Sequence, residues 1–478
     1  HYETRGQIAL LSIDNPPVNP LSSGVRQGLY DGVTKALDDD SIKAIVITGM
    51  HRAFIAGADI SEFGAAATQG VSLGDAMKKM ENSTKPIIAA INGTAFGGGL
   101  EVALCCDYRI ASPTAPLGLP EVKLGLLPGA GGTQRLPRLI GAEAAIQAIV
   151  SGAPIMAPAA LKLGIVDRVA EGNIVDAGIA YAEEIVAAGS ATRKIRDLED
   201  VISQDRGNTA VFEKARAQLN KTHRNQFAPE QIVKCVEAAV NAKTFDEGMA
   251  AEGKFFAECM KDPQREALIH IFFAERAANK IPGLGKDMPL IDINKGSVIG
   301  AGTMGGGIVM CFANAGIPVR MYDNDAANLQ RGLKVIEGNY ARTVSKGRLS
   351  QADMDKRMAL ITPTEDFDEL GDGDIVIEAV YENLDLKKEI FGKLDKVMKP
   401  GAILATNTSG LDVDAIAAMT TRPDHVCGMH FFSPANVMRL LEVVRGKDSS
   451  PAVLGTAMAL GKRLGKVSVV AGNCPGFI

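Results

Sequence analysis

Ala89-Ala-Ile-Asn-Gly-Thr-Ala-Phe-Gly97-Gly98-Gly99-Leu-Glu101-Val-Ala-Leu-Cys-Cys-Asp107 is the stretch on which the fold turns. Its opening residues close an apolar, β-branched run that begins at Lys85-Pro-Ile-Ile, the pattern of a buried strand. Three glycines follow almost at once. Lacking Cβ atoms, they permit a tight turn whose N–H groups point outward, and the apolar-periodic run after them starts a helix. A junction of this kind is suited to binding a negatively charged oxygen.

Working outward, Lys43-Ala-Ile-Val-Ile-Thr-Gly49 repeats the strand pattern, and up to about residue 185 such runs alternate with amphipathic helical stretches. That alternation predicts βαβ-type units. From about 190 to 285 strand signals vanish, and helices are expected, including Glu230 to Asn241 and Arg265 to Asn279. Ile281-Pro-Gly-Leu-Gly-Lys-Asp-Met-Pro289 is dense in Gly and Pro and marks a domain boundary. Beyond it, apolar strands are expected at Ser297 to Ile299, Val319 to Asp323, Asp374 to Val380, Ala402 to Ala405 and Val467 to Val470, with helices between most of them. The pattern is that of a doubly wound parallel sheet.

A chain of 478 residues is too long for one hydrophobic core, so two to four domains are expected. With 46% hydrophobic and 22% charged residues it reads as an ordinary globular protein. A net charge of −5 gives no reason to expect nucleic acid. The seven cysteines, 105, 106, 235, 259, 311, 427 and 474, include no CxxC pair and read as buried small apolar groups in a reducing compartment. No apolar run reaches membrane-spanning length, no metal-ligand spacing stands out, and the start lacks a signal-like segment. A soluble, cytoplasmic protein is the expectation.

Two further features belong with the glycine turn. The loop Arg52-Ala-Phe-Ile-Ala-Gly57-Ala58-Asp59 follows the strand ending at Gly49 and can bring a second backbone N–H to the same place. Two convergent N–H groups form an oxyanion hole, suited to the enolate made when a thioester is attacked at its β carbon. Glu121, in Leu119-Pro120-Glu121-Val-Lys-Leu-Gly-Leu-Leu-Pro128, supplies a carboxylate to pair with Glu101. Adding water across a conjugated double bond needs one group to deprotonate water and one to deliver a proton. Most glutamates are merely solvated, so spacing alone supports this pairing weakly.

The run from Phe54 to Arg135 closely resembles the crotonase superfamily, and Gly98, Glu101 and Glu121 together match its enoyl-CoA hydratases. The resemblance implies a crotonase (ββα) fold. It also implies Ala58 and Gly98 as oxyanion-hole donors, Glu101 and Glu121 as the residues that activate water and handle the α-carbon proton, and a Δ3,Δ2-isomerase side activity. Superfamily members with other chemistry often lack one of the two glutamates.

In the second half, Val298-Ile-Gly300-Ala-Gly302-Thr-Met304-Gly305 carries G-x-G-x-x-G at a strand-to-helix turn. Pro318-Val-Arg-Met-Tyr-Asp323 then ends in an acid 21 residues after Gly302, where adenosine ribose hydroxyls lie in a dinucleotide site. An acid there favours NAD over NADP. Cys427-Gly-Met-His430-Phe-Phe-Ser433-Pro434 and Leu440-Leu-Glu442-Val-Val offer a histidine to accept a hydroxyl proton and a carboxylate to orient it. A lone histidine in an apolar strand is more often structural. This stretch, however, resembles the catalytic segment of L-3-hydroxyacyl-CoA dehydrogenases, with His430 as base and Glu442 as its partner. The resemblance further implies Ser409, in Ala405-Thr-Asn407-Thr-Ser409, beside the substrate oxygen, and Glu382 and Lys387 near the cofactor. Ser433 departs from the family, many of whose members have Asn there.

Together the halves resemble the multifunctional β-oxidation enzymes, in which a hydratase precedes a dehydrogenase. They are more similar to the monomeric peroxisomal type-1 enzyme and its bacterial relatives than to the α chain of a thiolase-containing complex. The implied reaction partners are NAD and coenzyme A thioesters; the implied compartment is the cytoplasm in a bacterium and the peroxisome in a eukaryote. A monomer is implied, with association with a thiolase as an addition. The expected domains are a hydratase over 1–187, a helical linker over 188–288 and an NAD-binding domain over 289–473. Residues 474–478 resemble the start of a helical domain that completes the dehydrogenase site, so NAD binding with little dehydrogenase turnover is expected unless the polypeptide continues. Two rivals stand beside this reading: an enoyl-CoA isomerase fused to an NAD-binding module, and a non-catalytic acyl-CoA-binding scaffold.

Overall fold

The computed structural model describes residues 1–59, 70–189, 192–285 and 288–478. Part of the stretch 60–80, expected to shape an acyl tunnel, and Lys286-Asp287 of the Gly/Pro-rich boundary lie outside the described residues. The chain forms two compact units, His1–Phe272 and Phe273–Ile478.

In the first unit a six-stranded sheet has the order Tyr2–Arg5, Ile8–Ile13, Ala44–Gly49, Ile87–Ile91, Tyr108–Ala111, Arg168–Val169. The first pair is antiparallel and the rest parallel. Three of these strands each lead within a few residues into a short strand of a second sheet: Ala53–Ile55, Thr94–Phe96 and Pro116–Gly118, with Ile155–Met156 at its edge. Strand, short strand, helix is therefore the repeating unit. The short strands escaped the sequence reading because two or three residues carry no period-two signal.

The helical region departs from the expectation of a connector. Thr209–Thr222, Phe227–Asn241 and Phe245–Lys261 share one hydrophobic core with the sheet, running from Ala9 through Leu100 and Ile146 to Val236 and Cys259. These helices bury an apolar stripe, as in Ile232, Val233, Cys235, Val236 and Val240, and the partner for that stripe is the helix Ala142–Ser151 rather than a linker's solvent. The division between units falls at 272/273, inside the helix Pro263–Ala278, ahead of the Gly/Pro-rich segment.

The second unit is an eight-stranded sheet ordered Ile361–Thr364, Val319–Tyr322, Gly296–Ile299, Ile375–Glu378, Ile403–Thr406, Val426–Phe431, Leu440–Arg445, Val467–Gly472. Apolar clusters cover both faces, as double winding requires. The sheet is the expected parallel one except at a single pair. Val426–Phe431 and Leu440–Arg445 pair antiparallel, and Val467–Gly472 runs parallel to the latter. The eight residues between the antiparallel pair are too few for a parallel crossover, which takes a dozen or more. Ile361–Thr364, also unanticipated, is an edge strand that tolerates Pro363. Six cysteines are buried as expected, whereas Cys474 is exposed. Among the described residues no helix is long and apolar enough to cross a membrane, and no cluster of metal-ligating side chains occurs.

Candidate active sites

In the first unit, Gly97 turns the chain at φ 54° and the helix Gly98–Cys105 begins. The helix can start so close to the strand Ala53–Ile55 because position 99 is glycine: a Cβ there would stand 2.1 Å from the Ile55 carbonyl oxygen. Gly98 N–H, at the helix start, has no acceptor within the helix. A Cβ on Gly98 would lie 3.9 Å from Ala58 N, so the two predicted oxyanion donors are neighbours. Ala58 is held by a parallel bridge to Leu21.

Glu101, in the first helical turn, is 2% exposed. Its Oε1 accepts from Ala130 N–H and Gly132 N–H, each at 2.8 Å. Burial raises its pKa above the ordinary glutamate value, and those two N–H groups with Arg135 work against the rise. Glu121 opens the 3-10 turn Glu121–Leu124 against Gly97, where an added Cβ would come within 3.0 Å of Glu121 Oε1. Its Oε2 is buried without a hydrogen-bond partner among the described residues. Burial, and then the charge of Glu101, push Glu121 well above the usual carboxylate range. One cavity of about 570 Å³ is lined by Ala58, Gly98, Glu101 and Glu121 together with apolar Leu127 and Phe256. One carboxyl held by two N–H groups and one whose buried oxygen has no partner among the described residues, facing one cavity beside paired N–H groups, can hold one proton and release another.

Sequence reading missed Glu252, on Phe245–Lys261. It is 0% exposed and accepts from Gly131 N–H at 2.7 Å and Thr133 N–H at 3.2 Å, with Thr133 Oγ1 against its Oε2. Burial, and then Glu101, raise it to about 8. A signal existed: Phe245, Gly248, Glu252 and Cys259 form the buried stripe of the helix, and a glutamate in such a stripe is unusual.

In the second unit, the strand Gly296–Ile299 ends at Gly300, φ 103°, and Gly302 caps the helix Thr303–Asn314. Asp323 follows the neighbouring strand, and its Oδ2 accepts from Ala301 N–H at 2.8 Å, tying the acid to the glycine turn. Gly300, Gly302 and Asp323 line a cleft of about 990 Å³. It opens where strand order reverses between Gly296–Ile299 and Ile375–Glu378, the usual place for a dinucleotide in such sheets. Met304 is half-buried and packs into the core from the first helical turn.

His430 and Glu442 stand directly opposite across the antiparallel pair. His430 Nδ1 and Glu442 Oε2 are 2.6 Å apart, with Glu442 3% exposed. Ser409 N–H and Oγ both reach Glu382 Oε1, at 2.9 and 3.2 Å, and Thr408 Oγ1 donates to the same oxygen at 2.6 Å. Burial acts to raise the Glu382 pKa, but the hydrogen bonds from Thr408 and Ser409 and the Lys387 charge outweigh it, and the net shift is downward. Lys387, 1% exposed, lies 2.6 Å from Glu378 Oε1 and 3.3 Å from Glu382 Oε2. It thus acts from within, holding Glu382 in place. Asn407, whose Oδ1 accepts from Phe431 N–H at 2.8 Å, ties the Ser409 loop to the His430 strand. Neither Glu378 nor Asn407 was singled out in the sequence as a site residue.

Comparison with known proteins agrees with both halves. Residues 3–243 match the family model for enoyl-CoA hydratase/isomerase. Residues 295–474 match that for the NAD-binding domain of 3-hydroxyacyl-CoA dehydrogenase. The chain is 44% identical, over 100% of its length, to the peroxisomal bifunctional enzyme of Danio rerio, of which it covers 66%. It is 43% identical to the Homo sapiens enzyme of the same name, with 98% of the chain and 65% of that protein aligned. To a peroxisomal fatty acid beta-oxidation multifunctional protein of Oryza sativa subsp. japonica it is 38% identical, covering 98% and 66%. The chain thus spans just under two thirds of the length of these relatives. It belongs to the enoyl-CoA hydratase/isomerase family, and its second unit carries a 3-hydroxyacyl-CoA dehydrogenase NAD-binding domain.

Proposed function

We propose that this chain hydrates 2-trans-enoyl-CoA to L-3-hydroxyacyl-CoA and takes part, with NAD, in oxidising that product to 3-ketoacyl-CoA, as a fatty-acid β-oxidation enzyme. The carrying observation is the pairing of Glu101 and Glu121 at one cavity beside Ala58 and Gly98 N–H. The thioester carbonyl accepts from those two N–H groups, which stabilise the enolate. Glu101, relieved of part of its desolvation by Ala130 and Gly132 N–H, is the carboxylate that takes a proton from water. Glu121, whose Oε2 finds no donor among the described residues, keeps its proton and delivers it to the α carbon. Run without water, the same enolate gives the Δ3,Δ2-isomerase side activity.

The NAD-binding residues fit their ligand. Around Gly302 a Cβ would meet nothing within 4 Å among the described residues, leaving the backbone open to a pyrophosphate at a helix N-terminus. Gly300, Gly305 and Asp323 hold that turn, and Asp323 would bind the ribose hydroxyls. NAD, when bound, supplies the hydride acceptor. His430 takes the hydroxyl proton, Glu442 fixes its ring through Nδ1, and Ser409, held by Glu382 and Lys387, contacts the substrate oxygen. The peroxisomal names of the relatives extend to this chain as its proposed compartment in a eukaryotic cell, with the cytoplasm proposed in a bacterium. A monomer able to associate with a thiolase completes the proposal and is checked by gel filtration.

The test is hydration of 2-trans-enoyl-CoA by the parent and by Glu101→Gln and Glu121→Gln. Each variant is expected to lose about 10²- to 10⁴-fold in kcat while remaining folded. Reaction with 3-enoyl-CoA alone favours a fused isomerase, and undiminished hydration by the doubly substituted protein favours a scaffold.

A further inference from the structure

We propose that Glu252 is a positioning residue of the hydratase site, clamping the turn Ala130–Thr133 from behind so that Ala130 and Gly132 N–H stay aimed at Glu101. The four consecutive N–H groups of this turn divide by parity. Ala130 and Gly132 donate to Glu101 Oε1, at 2.8 Å each. Gly131 and Thr133 donate to the Oε1 and Oε2 of Glu252, at 2.7 and 3.2 Å. A carboxyl on each side thus fixes the same peptide units, and neither set can rotate without breaking the other.

The clamp is itself anchored. Thr133 Oγ1 contacts Glu252 and accepts from Gln134 Nε2, which also donates to the Cys235 carbonyl on the neighbouring helix. Arg135 Nη1 donates to the Ala130 carbonyl, closing the turn from its other end. Glu252 arrives from a helix more than a hundred residues downstream, so the helical segment completes the site instead of only following it. The inference rests on the reading of Glu101 as the water-activating base.

The charged and titratable groups around Glu252 are Glu101, Glu121, Arg135 and Cys235, each from a different packed element. Glu252 keeps its proton up to about 8. Well below that pH Glu252 is neutral and its removal takes away no negative charge, so a shift of the acid limb there reports on the geometry of the N–H groups. Those N–H bonds lower the Glu101 pKa. Loosening them raises it, and the acid limb of the kcat profile, where Glu101 takes up a proton, moves to higher pH.

The experiment measures kcat and KM for hydration from about pH 5 to 8 in the full chain, with thermal melts alongside. Glu252→Ala is expected to shift the acid limb up by about one pH unit. Its plateau kcat is expected to fall about tenfold or more, with KM nearly unchanged. Glu252→Gln still accepts from Gly131 N–H but presents an amide nitrogen to Thr133 N–H, so it keeps half of the clamp and shifts the limb less than alanine does. If the alanine variant does not fold, Glu252→Asp decides: one methylene shorter, it cannot hold both N–H groups and must shift the limb as well. A lowered melting temperature with the acid limb of the parent, in whichever of the two folds, overturns the proposal. Full activity of Glu101→Gln instead overturns the base reading beneath it, which separates the two failures.

Discussion

Replacing Gly302 by alanine separates the packing of the protein from the approach of its ligand. Gly302 sits at φ −74° and ψ −170°, extended backbone that any residue adopts. A Cβ placed there meets nothing within 4 Å among the described residues. The variant gives up only the preference of an N-cap for glycine over alanine and should unfold within about 1 kcal/mol of the parent. The added methyl group stands instead where the backbone must approach a pyrophosphate. A hydrogen bond to a charged group is worth about 1.5–3 kcal/mol, so losing one such N–H contact weakens NAD binding about 10- to 150-fold. Gly305→Ala is the matched comparison. Its Cβ would lie 1.8 Å from the Gly300 carbonyl oxygen, an overlap of backbone with backbone that no side-chain rotation relieves. Overpacking of this kind costs about 1–3 kcal/mol or more, so this variant loses stability as well as NAD. NADH fluorescence titration and urea melts on both variants make the comparison. Should Gly302→Ala bind NADH as tightly as the parent, or melt as early as Gly305→Ala, the steric reasoning is wrong.

Other consequences are open to direct measurement. Lys387→Met leaves Glu378 as an uncompensated buried charge and should destabilise the second unit by about 3–5 kcal/mol in a urea melt, part of it regained when Glu378→Gln is added; an unchanged melt refutes the ion pair's role. Glu252 has a folded pKa raised from 4.5 to about 8, so its contribution to stability is full below about 4.5 and is lost as pH rises through about 8. Melting temperatures of the parent should thus decline more steeply over that window than those of Glu252→Gln, and parallel curves would count against the buried proton. Asp323→Ala should weaken NAD binding and narrow the preference against NADP, read by titration with both reduced cofactors. His430→Gln should keep NADH affinity while lowering 3-hydroxyacyl-CoA oxidation about 10²- to 10⁴-fold, in a form of the protein that turns that substrate over.

How far the sequence could be read differs between the sites. Glu101, Gly98 and the Gly300 to Gly305 motif were legible because their chemistry is local: a glycine turn and the helix it starts are set by backbone sterics within a few residues. His430 and Glu442 were legible only through resemblance, since their meeting depends on the register of two antiparallel strands. That pairing in turn follows from the short connection before Leu440.

Local sequence by itself determined two strand–glycine–helix junctions, each able to face an anion, and an acid beyond the second. Tertiary structure alone decided which carboxyls are buried together, and therefore which of them hold a proton. Glu121 has no donor for Oε2 among the described residues, and Glu101 shares its turn with a glutamate from the far helical segment. Desolvation and like-charge repulsion depend on what packs around a group in space, and neither is written in the spacing of residues along the chain.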